Sequence, residues 1–362
     1  MGRRESSLES LVLNSFWTGK RVLLTGHTGF KGSWLSLWLH KMGAEVFGYS
    51  LAPEDNPSLF EQLGLADKVH HQVDDICDAD AIAKYVKDTR ADFVFHLAAQ
   101  SLVLRSYRET ICTWDTNVLG TAHLLEALRQ AVHPCTVIVV TTDKVYQNNE
   151  YNHAFRETDR LGGIDPYSAS KAGTELVVNS YRSLFEQEQL PISLASARSG
   201  NVIGGGDWCE NRLLPDIIRA LMQNKSIEMR NPYSVRPWQH VLEPLSGYMM
   251  LAEQLYTDRV HATSYNFGPN TSDNRTVEDV IKTALKSWPG QYHASQNTGA
   301  PHEAGLLMLD IEKARNQLGW YPKWDFETAI GKTINWYKDV HIGMDPLDIT
   351  LKQIEELEIA CK

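Results

Sequence analysis

The chain has 362 residues, 43% of them hydrophobic, enough to bury one large core or two smaller ones. Its formal charge of −10 argues against a nucleic-acid binder, which draws affinity from a basic surface and the counterions that surface displaces. Five scattered cysteines (Cys77, Cys112, Cys135, Cys209, Cys361) form no C-x-x-C pair and no zinc spacing, so neither a disulfide framework nor a metal site is expected.

The start, MGRRESSLESLVLNSFW, has no apolar core of signal-peptide length, and no stretch nears the roughly 20 apolar residues of a membrane span. A cytoplasmic protein that does not enter a membrane is therefore expected. From there the chain alternates. KRVLLTG reads as a strand running into glycine, GFKGSWLSLWLHKMG as a helix buried on most sides, and AEVFGYS as a second strand. HHQVDDI, ADFVFHLAA, TVIVVTT and ISLASARSGNV continue the strands, with helical segments DADAIAKYVKDTR, NVLGTAHLLEALRQA and YSASKAGTELVVNSYRSLFEQEQ between them. Such a rhythm predicts an α/β, doubly wound parallel Rossmann sheet with helices on both faces and its ligand beyond the carboxyl ends of the strands.

After Ile203 the rhythm breaks into GGGDW, NPYSVRPWQH and FGPNTSDNR, the composition of functional loops. The expected layout is a dinucleotide-binding domain over 16–200 with a returning segment near 240–268. A smaller substrate lobe would be built from 201–239 and 269–345, with tails at 1–15 and 346–362. LDIEKARNQLGWYPKWDFETAI reads as helix, turn and second helix.

TGHTGFKG places Gly26, Gly29 and Gly32 between the first strand and first helix, with Phe30 opening the helix. Missing side chains there allow a tight turn and the close approach of a pyrophosphate to a helix N-terminus. The acid that often ends the second strand is replaced by Ser50, and no Arg stands there for a 2′-phosphate, so that strand does not choose between NAD and NADP. Asp75 and Ile76 after the third strand, and Leu97, Ala98 and Ala99 after the fourth, are further cofactor-binding candidates.

The fifth strand ends on Thr142, Asp143 and Lys144, ionisable groups at the end of an apolar run. In PYSASK, Tyr167 and Lys171 lie four residues apart on one helix face, where an ammonium can favour tyrosinate and fit the phenol to take a hydroxyl proton.

The glycine-rich first turn, the TTD strand end and the Y-x-x-x-K pair, in that order, resemble the extended short-chain dehydrogenase/reductase superfamily. The resemblance implies that Thr142 hydrogen-bonds the reacting hydroxyl, that Tyr167 is the acid/base, that Lys171 also holds the nicotinamide ribose, and that NAD carries the hydride. Asn117 in WDTNVLGT matches an Asn that the family places near its active site. Nucleotide-sugar 4,6-dehydratases carry Thr-Asp-Glu at this strand end, with Asp protonating the departing C6 hydroxyl and Glu removing the C5 proton. Lys144 in place of Glu, together with GHTGFKGSWLSLWL, GGGDW and RPWQHVLEP, is similar to the branch acting on CDP-D-glucose. For Lys144 two roles stay open: an amine base at C5 if its environment neutralises it, or a cation that stabilises the enolate.

By the same resemblance Asn117, Asn201, Arg212, Arg236 and Glu303 are substrate-binding, with Arg198 and His240 weaker candidates. The family implies a homodimer through a four-helix bundle, built from helices near Thr116 to Gln130 and Pro166 to Gln187. The expected function is conversion of CDP-D-glucose to its 4-dehydro-6-deoxy product for deoxysugar biosynthesis. A dTDP- or GDP-sugar dehydratase, a 4-epimerase and a non-catalytic NAD-binding regulator are the alternatives.

Overall fold

In the computed structural model, which describes residues 16–148, 153–294 and 306–362, the alternation becomes a seven-stranded sheet. Its strands are β1 Arg21–Thr25, β2 Glu45–Ser50, β3 His70–Val73, β4 Phe93–His96, β5 Cys135–Thr141, β6 Ile192–Arg198 and β7 Ser264–Asn266. They lie in the order β7-β6-β5-β4-β1-β2-β3, with every pair parallel. The chain winds one way from β1 through β2 and β3, and the other way from β4 onward. That reversal opens a crevice at the carboxyl ends of β1 and β4, where sheets of this kind bind ligands.

Helices α1 Phe30–Lys41, α2 Ala79–Thr89, α3 Gly120–Ala131, α4 Pro166–Gln187, α5 Leu213–Met222, α6 Leu242–Thr257, α7 Val277–Ser287, α8 Phe326–His341 and α9 Pro346–Ala360 are the main helical elements. All seven residues of β5 are buried. Val137 and Val139 enter a layer with Ile82, Leu124 and Val178 of α2, α3 and α4, whereas Ile138 and Val140 enter the layer holding Leu35 and Leu245 of α1 and α6. A strand covered on both faces has no polar side to alternate with, which explains the unbroken apolar run. Asp165 caps α4 by accepting from the Ser168 amide, and Pro166 fills its first turn.

Beyond β6 the lobe is held by short strand pairs: Val202–Ile203 with Gln239–His240, Val235–Arg236 with Arg275–Thr276, and Ile227–Met229 with Tyr292–Ala294. The returning segment adds α6 and β7 to the sheet domain. Near the C-terminus, Glu312–Leu318 ends on left-handed Gly319 and α8 follows, the helix, turn and helix expected. The expected tail over 346–362 is instead largely helix α9, capped by Asp345 and burying Ile349, Ile354 and Leu357. Trp38 and Lys41 of α1 both bond Glu358, at 2.9 and 2.7 Å, so α9 covers the back of the first helix. Residues 1–15, the other expected tail, lie outside the described residues.

Candidate active site

The glycine-rich turn is shaped by contacts that exclude side chains. Gly26 has φ of +75°, and a Cβ there would lie 2.7 Å from the Ala98 amide nitrogen; a Cβ on Gly32 would lie 2.1 Å from the Gly26 carbonyl oxygen. A Cβ on Gly29 would meet only that carbonyl, at 3.4 Å. Gly29 is the N-cap of α1 and provides no side-chain cap, so the first-turn amides are left to an external acceptor. Leu97 and Ala98 donate their amides to the carbonyl and hydroxyl of Thr25, at 3.1 and 3.2 Å, which brings the loop after β4 against the glycine turn. Ser50 bonds the Thr28 hydroxyl at 2.8 Å. Asp75 is exposed and receives the Cys77 amide at 2.9 Å, while Ile76 is buried. This turn fits a dinucleotide's diphosphate by shape and by dipole.

At the end of β5 the chain turns through a short 3-10 segment, Asp143–Val145. The Thr142 hydroxyl donates to Asp143 Oδ1 at 2.9 Å and accepts from the Lys144 amide at 3.3 Å. Asp143 is 1% exposed, and its Oδ2 is buried without a hydrogen-bond partner among the described residues. Gly200 makes room for it, since a Cβ there would fall 1.7 Å from Oδ2. Burial raises the Asp143 carboxyl above the usual carboxylate range; Lys144, the Thr142 hydroxyl, Arg236 and Lys31 work against that rise. The result is an acid biased toward holding its proton, with one buried oxygen left unpartnered among the described residues.

Tyr167 and Lys171 project from the first two turns of α4 and are both buried. Lys171 donates to the Val140 carbonyl at 3.2 Å, and burial lowers its ammonium to about 8, with Glu175 pulling the other way. Glu175, one turn further on, accepts from Thr141 at 2.6 Å and pairs with Arg198 at 2.7 Å. Here the structure corrects the expectation of a lowered phenol. Burial pushes Tyr167 up to about 12; the Thr142 hydroxyl and Arg212 lower it, and Asp143 raises it. The ammonium is engaged with a backbone carbonyl, not with the phenol.

The expected substrate residues divide. Asn201 adopts φ of +47°, and its buried Oδ1 has no partner among the described residues. Arg212 bonds Asp207 and Ser101, each at 3.0 Å, and its charge reaches Tyr167 and Lys31. Arg236 is buried and acts on Asp143. Asn117 is fully committed, accepting from the Gln100 amide at 2.9 Å and donating to the Gln100 carbonyl and Ser170 hydroxyl at 3.0 and 2.9 Å. It braces the site's walls rather than facing a substrate. Arg198 is taken by Glu175 and Tyr146, and His240 lies buried edge-on between Trp34 and Trp324, its imidazole lowered to about 3 by burial. Both are packing groups. Glu303 lies outside the described residues.

One residue was missed. Lys31, in the first turn of α1, reaches Ser199 at 3.0 Å and Tyr248 at 3.4 Å. Burial, then the charges of Arg212 and Lys171, lower its ammonium to about 7, against the pull of Asp143. The available signal was GFKGSW itself, a lone cation in the otherwise uncharged first half of a helix.

The parallel sheet with its glycine turn, strand-end Thr-Asp and helix-borne Tyr-Lys defines an extended short-chain dehydrogenase/reductase. The family model described as GDP-mannose 4,6 dehydratase matches residues 23–333. The CDP-glucose 4,6-dehydratase of Salmonella typhimurium is 44% identical over 359 residues, covering 96% of this chain and 98% of that one. The dTDP-glucose 4,6-dehydratase 1 of Escherichia coli is 26% identical over 343 residues, 88% and 92% of the two chains. Among solved structures, dTDP-glucose 4,6-dehydratase from Bacillus anthracis in complex with NAD superposes with a TM-score of 0.74 at 22% identity, covering 90% of this chain and 99% of that one. The chain belongs to the nucleotide-sugar 4,6-dehydratase family.

Proposed function

We propose that the protein converts CDP-D-glucose to CDP-4-dehydro-6-deoxy-D-glucose and water, a step of deoxysugar biosynthesis. The observation that carries the reading is Asp143: a buried carboxyl biased toward its protonated form, one oxygen unpartnered, beside Thr142 and Tyr167. An oxidation or a 4-epimerisation alone has no use for such an acid, whereas expulsion of a hydroxyl does. The choice of a CDP-sugar rests on the 44% identity to the Salmonella enzyme, and Lys144 in place of the usual Glu agrees with the resemblance to that branch.

The residues suited to hold NAD are Gly26, Gly29, Phe30 and Gly32 around the diphosphate, Asp75 and Ile76 toward the adenosine, Leu97, Ala98 and Ala99 along the middle, and Tyr167 and Lys171 at the nicotinamide ribose. A bound nicotinamide would supply the hydride acceptor for oxidation at C4 and the hydride donor for reduction at C6. Tyr167 accepts the C4 hydroxyl proton as tyrosinate, a form that the Thr142 hydroxyl and the Arg212 charge favour against burial, while Thr142 orients that hydroxyl. Asp143 gives its proton to the C6 hydroxyl as it leaves, and Lys144 acts at C5. Asn201, Arg212 and Arg236 serve the nucleotide diphosphate, for which guanidinium forks are suited. The functional unit in this reading is a homodimer joined through α4 and the helix near Thr116 to Gln130, which here is the turn Asp115–Leu119 running into α3.

The test uses CDP-, dTDP-, GDP- and UDP-glucose carrying deuterium at C4. The expected product, formed from the CDP-sugar in preference to the others, is a 4-dehydro-6-deoxy sugar with the label at C6. Label washed into solvent or kept at C4 would refute internal hydride return. Equal turnover of the four sugars would refute the CDP assignment.

A further inference from the structure

We propose that Asp207 is a positioning residue for the substrate's diphosphate, fixing the Arg212 guanidinium from behind while Ser101 steadies it from the loop after β4. The inference rests on the reading of Arg212 as a diphosphate ligand. Asp207 follows three glycines, each wedged against a neighbour: a Cβ would lie 2.8 Å from Val241 at Gly204, 2.0 Å from Trp336 at Gly205 and 2.5 Å from Leu59 at Gly206. The chain is thereby threaded through the seam between the lobe and the sheet domain, and it delivers a carboxylate where almost no solvent reaches.

That carboxylate is fully specified. Its Oδ1 accepts the Cys209 amide at 3.2 Å, its Oδ2 pairs with Arg212 at 3.0 Å, and the Asp207 carbonyl accepts the Tyr337 hydroxyl at 2.6 Å. The Asp207 side chain is 5% exposed and that of Arg212 is 32% exposed, so the pair has a buried end and an open end. A guanidinium carries five N–H donors in one plane. One goes to Asp207 and one to Ser101, so three remain for phosphate oxygens, and the plane in which they lie is set before any ligand arrives. Orientation fixed in advance is what a bidentate phosphate contact requires.

The test is binding of CDP and of CMP, which lacks the second phosphate, to the NAD-loaded protein, with turnover measured alongside. Asp207→Asn is expected to weaken CDP on the order of tenfold, leave CMP unchanged, and raise KM far more than it lowers kcat. Added to Arg212→Met, it should cost CDP binding nothing further, because the group it positions is gone. Asp207→Glu, which keeps the charge but moves it by one methylene, should also weaken CDP selectively, and it decides the matter if the Asn variant does not fold. CDP affinity unchanged by both Asp207 variants, or losses that add to those of Arg212→Met, overturns the positioning role. CDP affinity unchanged in Arg212→Met overturns instead the assignment of Arg212 on which it rests.

Discussion

At the scale of single residues, the buried acid Asp143 lies among several cations: Lys31, Lys144 and Arg236 all act on it. Its expected role can be isolated because C4 oxidation precedes elimination. Asp143→Asn should still reduce NAD in a single turnover, seen as NADH absorbance that persists, while release of 6-deoxy product slows by about 10²–10⁴, the usual range for a general acid. Normal turnover by this variant would exclude the role. Because burial raises the Asp143 carboxyl and the proton is needed on it, elimination should decline as pH rises through that raised value. Lys144→Met should stop exchange of the C5 hydrogen with deuterated solvent while leaving C4 oxidation in place. Lys144→Arg then separates its two open roles: exchange survives if charge suffices and is lost if a proton must be accepted. Lys31 makes a different prediction. Its ammonium is lowered from 10.5 to about 7 in the fold, so between those values the unfolded chain binds a proton that the folded chain does not, and stability rises with pH. Lys31→Met lacks that rise. It should melt higher than wild type at neutral pH, by a margin that shrinks as pH approaches 10.5; parallel melting curves across that range would refute the burial of this charge.

At the scale of elements, what could be read from the sequence was what is local. β5 is legible because a strand buried on both faces writes an unbroken apolar run, and α4 because Asp165, Pro166 and the Tyr167/Lys171 spacing announce its start and its working face. Lys31 was legible only as a cation in an otherwise uncharged helix start, not as a site residue, because its partner Ser199 is 168 residues away. Asn117 was legible as a position but not as a role. It sits in a π-helical turn, Asp115–Leu119, that enters α3, and the wider turn brings its amide to Gln100 on one side and Ser170 on the other. The Asn117 carbonyl also accepts from Thr121 and Thr174, both at 2.7 Å. One residue thus ties the loop after β4 to the helix bearing Tyr167. Asn117→Ala would strip the amide's three hydrogen bonds and leave buried groups unsatisfied, an expected loss of about 2–4 kcal/mol in denaturant unfolding. Because the residue braces the site without facing substrate, kcat should fall more than KM rises. A stability within about 0.5 kcal/mol of wild type would show that the brace is dispensable.

At the scale of the whole molecule, the same brace lies next to a surface that the single chain leaves uncovered. Leu176 on α4 is 61% exposed, and Ile111 and Leu119 on the facing helical stretch Thr110–Leu119 are 72% and 51% exposed. Tyr107 and Trp114 add further apolar area beside them. α4 and this stretch meet closely within one subunit, since a Cβ on Gly173 would lie 3.1 Å from Val118 and 3.3 Å from Trp114. They therefore present a joint two-helix face, and pairing with a second copy across a two-fold axis would make the four-helix bundle of the proposed dimer. Covering a large apolar side chain is worth about 1.5–3 kcal/mol, so a few such residues on each subunit supply a substantial driving force, and one buried charge at the centre should defeat it. Leu176→Glu is expected to run at monomer mass by size exclusion with light scattering at micromolar concentration, where the wild type runs at twice that mass. Leu176 is exposed in the single chain, so the substitution should leave the subunit fold intact, with helical content and NAD binding retained. Turnover is a separate readout: α4 carries Tyr167 and Lys171, and the opposing stretch carries Asn117, so loss of the bundle should reduce kcat even where the monomer stays folded. A wild type already monomeric at micromolar concentration removes the dimer altogether, whereas a variant that becomes monomeric with unchanged kcat keeps the dimer but severs its link to catalysis.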